Sequence, residues 1–372
     1  MLSGRHKGKW RVQTTVKQDL GSSRKVSRLF PTQHEGKEFL RSLIRDEVRA
    51  QLLAAKELTL SEWFTWLADN DWAENLDEKT VHGRRQRFTD YVEEEFGKTL
   101  LTKIDPMAVR EFYRKLKKQG VGHATREAIK VDLVRAFNQA ISPYRKVPAI
   151  CGNPFRIPID AGEPREAVAL TPKEAMKALR SRKLDDVQRG MLGVYLLGGL
   201  RLSEQMALTV GQVNFEQSLI YVDRAVKIAP SGKQTLGLPK GNKVRTAVMC
   251  DELARILKPL CEGRNPKEYV WTALSANQPR MKNLVYATWR TILADAKLPE
   301  SMSPQDGRLT HYNWIRQLCH DVSETTLKAH IGHTGRGVGE IHYTRPISPA
   351  QALLKHSLDE LLTAGKDTVQ AA

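Results

Sequence analysis

In the stretch GKWRVQTTV, Trp10, Val12, Thr14 and Val16 alternate with Arg11, Gln13 and Thr15, the period-two pattern of a half-buried strand. After the turn-forming residues Asp19 to Ser23, KVSRLFPT reads as a second strand, and HEGKEFLRSLIRDEVRAQLL as a helix with Phe39, Leu40, Leu43 and Ile44 on one face. From about residue 57 the period lengthens to that of helices. Thr59 and Glu62 form a capping box ahead of SEWFTWLADN, and Asp105 with Pro106 is an N-cap followed by a first-turn proline. Helical spacing recurs in TVHGRRQRFTDYVEEEF, DPMAVREFYRKLKKQG and ATREAIKVDLVRAFNQAI, so four helices are expected to form a bundle.

Periodicity disappears in SPYRKVPAICGNPFRIPIDAGEP, where proline and glycine thicken, and a linker is expected over 146–168. A helix restarts at Thr171-Pro-Lys-Glu174, and from 169 to the end of the chain one mixed, mainly helical domain is expected. Within it the apolar run GMLGVYLLGG meets LRLSEQMALTV, which puts Arg201 and Glu204 where a hydrophobic helix gives way to polar sequence; alone, such a pair is an ordinary surface ion pair. SLIYVDRAV reads as a strand, and LGLPKGNKVRTAVM as a hairpin turning at Gly241-Asn242, with Lys240, Lys243 and Arg245 making it basic. Most hairpin lysines only solubilise.

Composition changes this picture mainly through charge. The 372 residues carry 59 Lys and Arg against 42 Asp and Glu, a net +17, which favours a polyanionic partner because each neutralised phosphate releases counterions. The first 50 residues alone hold twelve Lys or Arg and five Asp or Glu. Arg84, Arg85, Arg87, Arg126, Lys130 and Arg135 give the bundle a basic side that is either a plain solvated face or a track along a DNA backbone. Cys151, Cys250, Cys261 and Cys319 are scattered without a C-x-x-C pair, so reduced thiols are expected rather than a disulfide framework or a cysteine–zinc site. With no apolar run of spanning length and no signal-peptide core, a cytosolic or nucleoid location is expected.

The segment HIGHTGRGVGEIHYTR admits three chemistries: nucleotide, metal or nucleic acid. Gly335, Gly337 and Gly339 do not make G-x-G-x-x-G after a strand, and histidines 311, 320, 330, 333 and 342 lack H-E-x-x-H or matched Cys/His spacing. His320 and His330 read as core or helix-face residues. HIGH also occurs in class I aminoacyl-tRNA synthetases, where it follows the first strand of the catalytic domain; here it lies near the end of the sequence.

Taken in order, GLRLSEQMAL, PKGNKVRTAVM, SPQDGRLTHYNWI, HIGH and IHYTR resemble the catalytic boxes of the tyrosine recombinase, or phage integrase, family from about Thr171 to Arg345. The GxW strand, basic strand and helix at the start are loosely similar to that family's small arm-binding domain. By position, Arg201 corresponds to the first catalytic arginine, Glu204 to its acidic support, Lys240 to the hairpin lysine, Arg308 to the second arginine, His333 to the histidine and Tyr343 to the nucleophile. Gln305 stands where the family has histidine or lysine; it can hydrogen-bond a phosphate but carries no proton. His311 with Arg316 is a rival placement whose spacing fits less well.

The resemblance implies an α+β multidomain chain: an arm-type DNA-binding domain over 1–55, built from a three-stranded sheet and a helix, a helical core-binding bundle over 56–145, the linker, and a catalytic domain over 169–372 with a small antiparallel sheet. It implies a site-specific recombinase integrating or excising a mobile element through a 3'-phosphotyrosyl intermediate, without metal or ATP. Four copies on two duplexes are implied, with a DNA-bending accessory protein as a further partner and a bacterial host. Arg11, Lys17, Arg24 and Lys25 would contact arm DNA, and Arg84, Arg85, Arg87, Arg126, Lys130, Lys243 and Arg245 core DNA. The helix in SPAQALLKHSLDELL either packs on its own domain or docks on the next copy. The rival function is a catalytically inactive repressor or accessory factor of the same architecture.

Overall fold

In the computed structural model, the alternating stretch around Trp10 is the middle strand of a three-stranded antiparallel sheet, β1 (Leu2–His6), β2 (Lys9–Lys17) and β3 (Ser23–Phe30), in that order. The structure describes residues 2–6, 9–17, 23–54, 58–160, 162, 166–271, 279–332 and 347–370. The chain divides into two units, Met1–Pro164 and Arg165–Ala372.

In the first unit, α1 (Gln33–Ala54) covers one sheet face. Val12 is fully buried, Phe30 and Phe39 lie 5.0 Å apart, and the Arg28 guanidinium sits 5.9 and 5.4 Å from their centroids, an arrangement in which the ring quadrupoles attract the cation. Because Trp10 pairs with Phe30 and Arg11 with Leu29, strand alternation leaves Arg11, Lys25 and the exposed Leu29 on the opposite face.

The bundle follows. α2 (Leu60–Trp66) runs through a π-turn into α3 (Trp72–Asn75), and α4 (Glu78–Arg87) through another into α5 (Glu93–Phe96); α6 (Pro106–Lys118) and α7 (His123–Ile141) complete it. The expected caps form: the Thr59 and Glu62 box closes on itself, and Asp105 accepts from the Ala108 amide. Trp63, Trp72, Phe112 and Phe137 fill the core, with Phe64 stacked 4.2 Å from Phe88. The expected linker does not leave at once. Phe155 is fully buried in the bundle, Tyr113 donates its hydroxyl to the Phe155 carbonyl at 3.1 Å, and Asn153 donates to the Val134 carbonyl at 2.9 Å, so proline-rich sequence here is packed chain.

In the second unit, α8 (Pro172–Leu179) starts from the Thr171 and Glu174 capping box, and α9 (Asp186–Leu196) is the central helix, buried continuously from Gly190 to Leu196. α10 (Leu202–Met206) leads to β4 (Val213–Asn214), β5 (Leu219–Val222), β6 (Ala225–Ile228), β7 (Gln234–Gly237) and β8 (Arg245–Val248). α11 (Asp251–Cys261), α12 (Lys282–Asp295), α13 (Pro304–Leu318), α14 (Glu324–Ile331) and α15 (Pro349–Gln370) follow. The hairpin expectation needs correction. A turn does form at Gly241 and Asn242, both at positive φ, but β7 pairs back with β6 whereas β8 joins β5 in the sheet β4-β5-β8. The Lys240 turn therefore bridges two sheets. α15 packs within its own unit: Leu354, Leu358 and Leu362 are buried in its core, and Gln351 donates to Thr246 at 2.6 Å. Cys250, Cys261 and Cys319 are buried free thiols and Cys151 an exposed one. No described helix is long and apolar enough to cross a membrane.

Candidate active site

The site is assembled where α9 hands over to α10. Gly199 has φ +61°, and a Cβ there would lie 2.6 Å from His311 Cδ2, so this bend admits only glycine. Two residues later Arg201 is the N-cap of α10, and Glu204, in the third helical position, accepts the Arg201 backbone N–H at 2.8 Å. That fixes the Glu204 carboxylate beneath the arginine, whose Nη1 it also accepts at 2.8 Å.

Two further guanidiniums converge on this carboxylate. Arg245, the first residue of β8, makes a bidentate pair with Glu204, both contacts at 2.8 Å, and its Nε donates to the His330 carbonyl at 2.8 Å. Arg308, on α13 behind the Ser303 and Asp306 capping box, has Nη1 4.0 Å from Glu204 and donates to the Gly199 and Ile331 carbonyls. Arg201 Nη2 donates to the Gly332 carbonyl at 3.2 Å. Three arginines thus cap three successive carbonyls, at 330, 331 and 332, where α14 ends and its dipole is negative.

Among the described residues the charges do not balance locally: three guanidiniums face one carboxylate. Burial alone would raise the Glu204 pKa, but Arg245 and Arg201 outweigh it and hold the carboxyl at about 2. Burial, then repulsion from Arg201 and Arg245, lowers Arg308 to about 9, so it remains charged at neutral pH with an unmet demand for an anion. Arg201 keeps 19% of its side chain exposed, whereas Arg308 keeps 4%.

Behind the arginines lies a pair of neutral histidines. His311 Nδ1 stands 3.1 Å from the Leu196 carbonyl and must donate, while His330 Nδ1 accepts the Val248 N–H at 3.1 Å. The tautomers follow: His330 Nε2–H donates to His311 Nε2 across 2.8 Å. Burial above all pushes His311 down to about 4 and His330 well below its ordinary value. His311 is fully buried and Arg316 is exposed beside Tyr312, so it is Arg308 that the fold brings to Arg201. Gln305 is exposed on α13 one turn before Arg308, and Lys240 is exposed in its turn. His333 and Tyr343 lie outside the described residues; the described part of the site ends at Gly332, at φ +71°.

Several arginines expected at a DNA surface are instead committed to acceptors within the fold. Arg245 is 6% exposed and all three of its nitrogens are engaged by Glu204 and His330. Arg84 is buried, with its guanidinium 4.5 Å from the Trp72 ring and its Nε 3.2 Å from Asp132. Arg87 shares Asp132, donating at 2.6 and 2.8 Å, and buried Arg126 donates to the Val121 carbonyl at 3.0 Å. These arginines satisfy buried acceptors and so are not free to follow a phosphate backbone. Arg85 is half-buried and paired with Asp69, Lys130 lies 3.7 Å from Glu127, and Arg135 and Lys25 are exposed. Arg11 and Lys243 are half-buried, and the side chains of Lys17 and Arg24 are outside what is described. Sequence reasoning missed the interior role of Arg245 and the histidine pair. The alternation of Arg245 with buried Ala247 and the i, i+3 placement of His311 after Arg308 were the available signals.

Residues 170–346 match the model of the phage integrase family, and they include Arg201, Glu204, Arg245, Arg308, His311 and His330. This part of the chain is similar to the phage integrase family. Among solved structures, the integrase of transposon Tn1549 in complex with transposon right end DNA is similar, with 18% identity and a TM-score of 0.65 over 75% of this chain and 92% of that one. A lambda integrase dimer bound to a COC' core site has 13% identity and a TM-score of 0.53 over 92% and 97%. A lambda integrase tetramer bound to a Holliday junction has 14% identity and a TM-score of 0.53 over 92% and 98%. These identities establish a shared fold. No curated protein sequence matches the chain significantly. Within the matched stretch, Arg201 and Arg308 come from boxes more than 100 residues apart and meet at one carboxylate.

Proposed function

We propose that the protein is a site-specific DNA recombinase that cleaves and rejoins strands through a 3'-phosphotyrosyl intermediate, integrating or excising a mobile element. The observation that carries the reading is the joining of Arg201 and Arg308 around Glu204 with excess positive charge, inside the stretch that matches the phage integrase family. Paired guanidinium donors suit the non-bridging oxygens of a phosphodiester, on which charge grows during attack. Preorganised donors of this kind are commonly the largest catalytic contribution, each about 3–4 kcal/mol.

In this mechanism the Tyr343 hydroxyl attacks phosphorus, the bond to the 5'-oxygen breaks, and Lys240 gives that oxygen a proton. The arginines favour the tyrosine anion, whose proton passes to solvent or to His333 where that residue assists Tyr343 rather than hydrogen-bonding the phosphate, and Gln305 donates to a phosphate oxygen. A 5'-hydroxyl of a partner duplex then displaces Tyr343. No ATP or metal enters.

The net charge of +17 and the DNA bound in the Tn1549 and lambda integrase structures support duplex DNA as the partner. Arm contact is assigned to Arg11, Lys17, Arg24 and Lys25, and core contact to Arg85, Lys130 and Lys243. The lambda tetramer on a Holliday junction supports four copies on two duplexes as the working assembly; a DNA-bending accessory protein is proposed as a further partner.

The test is covalent trapping. The full chain is incubated with a pool of nicked duplexes of randomised sequence, so that cleavage releases a short strand and leaves an SDS-resistant adduct. Wild type should form it and select a sequence from the pool; Tyr343→Phe should bind the same duplex without forming it. Binding without any adduct from wild type would instead establish the repressor reading, for which the missing proton donor at Gln305 is the motive.

A further inference from the structure

We infer that Arg245 is a positioning residue for strand cleavage, a clamp that ties Glu204 to the end of α14 and so aims Arg201 and Arg308 at the phosphate; this rests on the recombinase reading. Arg245 itself cannot be a phosphate ligand. Its side chain is 6% exposed, and Nε, Nη1 and Nη2 are all committed, one to the His330 carbonyl and two to Glu204.

The geometry gives the clamp its purpose. Glu204 is buried, with 1% of its side chain exposed, and is the only described carboxylate paired with Arg201, Arg245 and Arg308 together. If it were free to turn, it would neutralise Arg201 and Arg308 rather than leave them with donors for an incoming anion. Two parallel bonds from a planar guanidinium hold its plane fixed, which a single-point ammonium does not. The third donor connects this carboxylate to α14, whose next two carbonyls receive Arg308 and Arg201. Gly332 shows how tightly these parts fit, since a Cβ there would lie 3.1 Å from Arg245 Cδ and 3.4 Å from Arg201 Nη1. Gly332 at the end of α14 therefore lies directly over Arg245.

The groups facing Glu204 are Arg201 at the start of its own helix, Arg245 from β8 and Arg308 from α13, with His330 of α14 behind Arg245 and paired to His311. With Arg245 replaced, the Glu204 carboxyl loses the cation that most opposes its burial, and its pKa rises from about 2. A clamp thus predicts a changed pH dependence of cleavage, which a loss of fold alone does not.

The experiment uses the full chain and the duplex that wild type selects from the randomised pool. For Arg245→Lys, which keeps the charge, gel-shift affinity should stay within about threefold while the trapping rate falls roughly ten- to hundredfold, the scale for a misplaced catalytic group. The acid limb of the rate–pH profile should move to higher pH in Arg245→Ala, which removes the cation. Arg245→Ala, whose folding is checked by circular dichroism, should recover part of its rate when free guanidinium ion is added at low millimolar concentration, and none with added ammonium. Trapping by Arg245→Lys at the wild-type rate would overturn the clamp. So would a loss matching only a reduced folded fraction, with the acid limb unmoved and no guanidinium response. Absence of a wild-type adduct would instead sink the recombinase reading and the clamp with it, so the two failures are distinguishable.

Discussion

At the scale of single residues, the decisive property is an excess of buried positive charge held open by one carboxylate. Glu204 is balanced by Arg245 in a bidentate pair, and Arg308 is left with a depressed pKa of about 9 and, among the described residues, no carboxylate closer than 4.0 Å. Replacing Arg308 by alanine should lower the trapping rate by about 10²–10³-fold, the usual cost of one transition-state donor, with a smaller effect on duplex affinity. Parallel trapping and gel-shift assays check this.

The histidine pair makes a prediction about stability. The folded pKa of His311 is lowered from 6.5 to about 4, so the unfolded chain binds more protons between these values. Its contribution is complete above about pH 6.5 and is lost as pH falls towards 4. Glu204, lowered from 4.5 to about 2, adds a second loss below pH 4.5 for the same reason. Thermal unfolding across pH 4–7 should show Tm falling on acidification, and His311→Gln should flatten the slope between pH 6.5 and 4. An unchanged slope would mean that the pair titrates as it does in the unfolded chain.

At the scale of elements, caps and periodicity made much of the fold legible. Thr59, Asp105 and Thr171 each cap the helix expected of them, because a side-chain acceptor three residues before an orphan amide is a local property of sequence. Strand partnership is not local. The sequence KGNK turns as expected, yet which strand each flank joins depends on β5 and β6, and the hairpin reading failed there. Arg245 was misread for a related reason, since a basic residue beside a turn looks solvated until its strand register places it inward with Ala247. Likewise, the prolines after residue 146 suggested a free linker, whereas Phe155 anchors that stretch to the bundle. For α15 the apolar face was readable, and its partner is its own unit: Leu358→Ala should cost about 2–5 kcal/mol through the cavity it leaves, read as a lowered Tm.

At the scale of the whole molecule, charge and family give the account its direction. The order of boxes from Arg201 to Arg308 was legible because each contains a residue type that phosphoryl transfer needs, and the fold brings these two arginines to one carboxylate. The helix-free sheet face with Arg11 and Lys25 is the basis for assigning residues 1–55 to arm DNA. Deleting them should spare cleavage of a core duplex and abolish efficient integration in a two-plasmid assay; equal integration by the truncated chain would remove that assignment. The central claim is that the two arginines hold a DNA phosphate for Tyr343. The measurement that tests it most directly is mass spectrometry of the protease-digested SDS-resistant adduct: the account predicts nucleotide mass on the peptide containing Tyr343, and attachment at any other residue would contradict it.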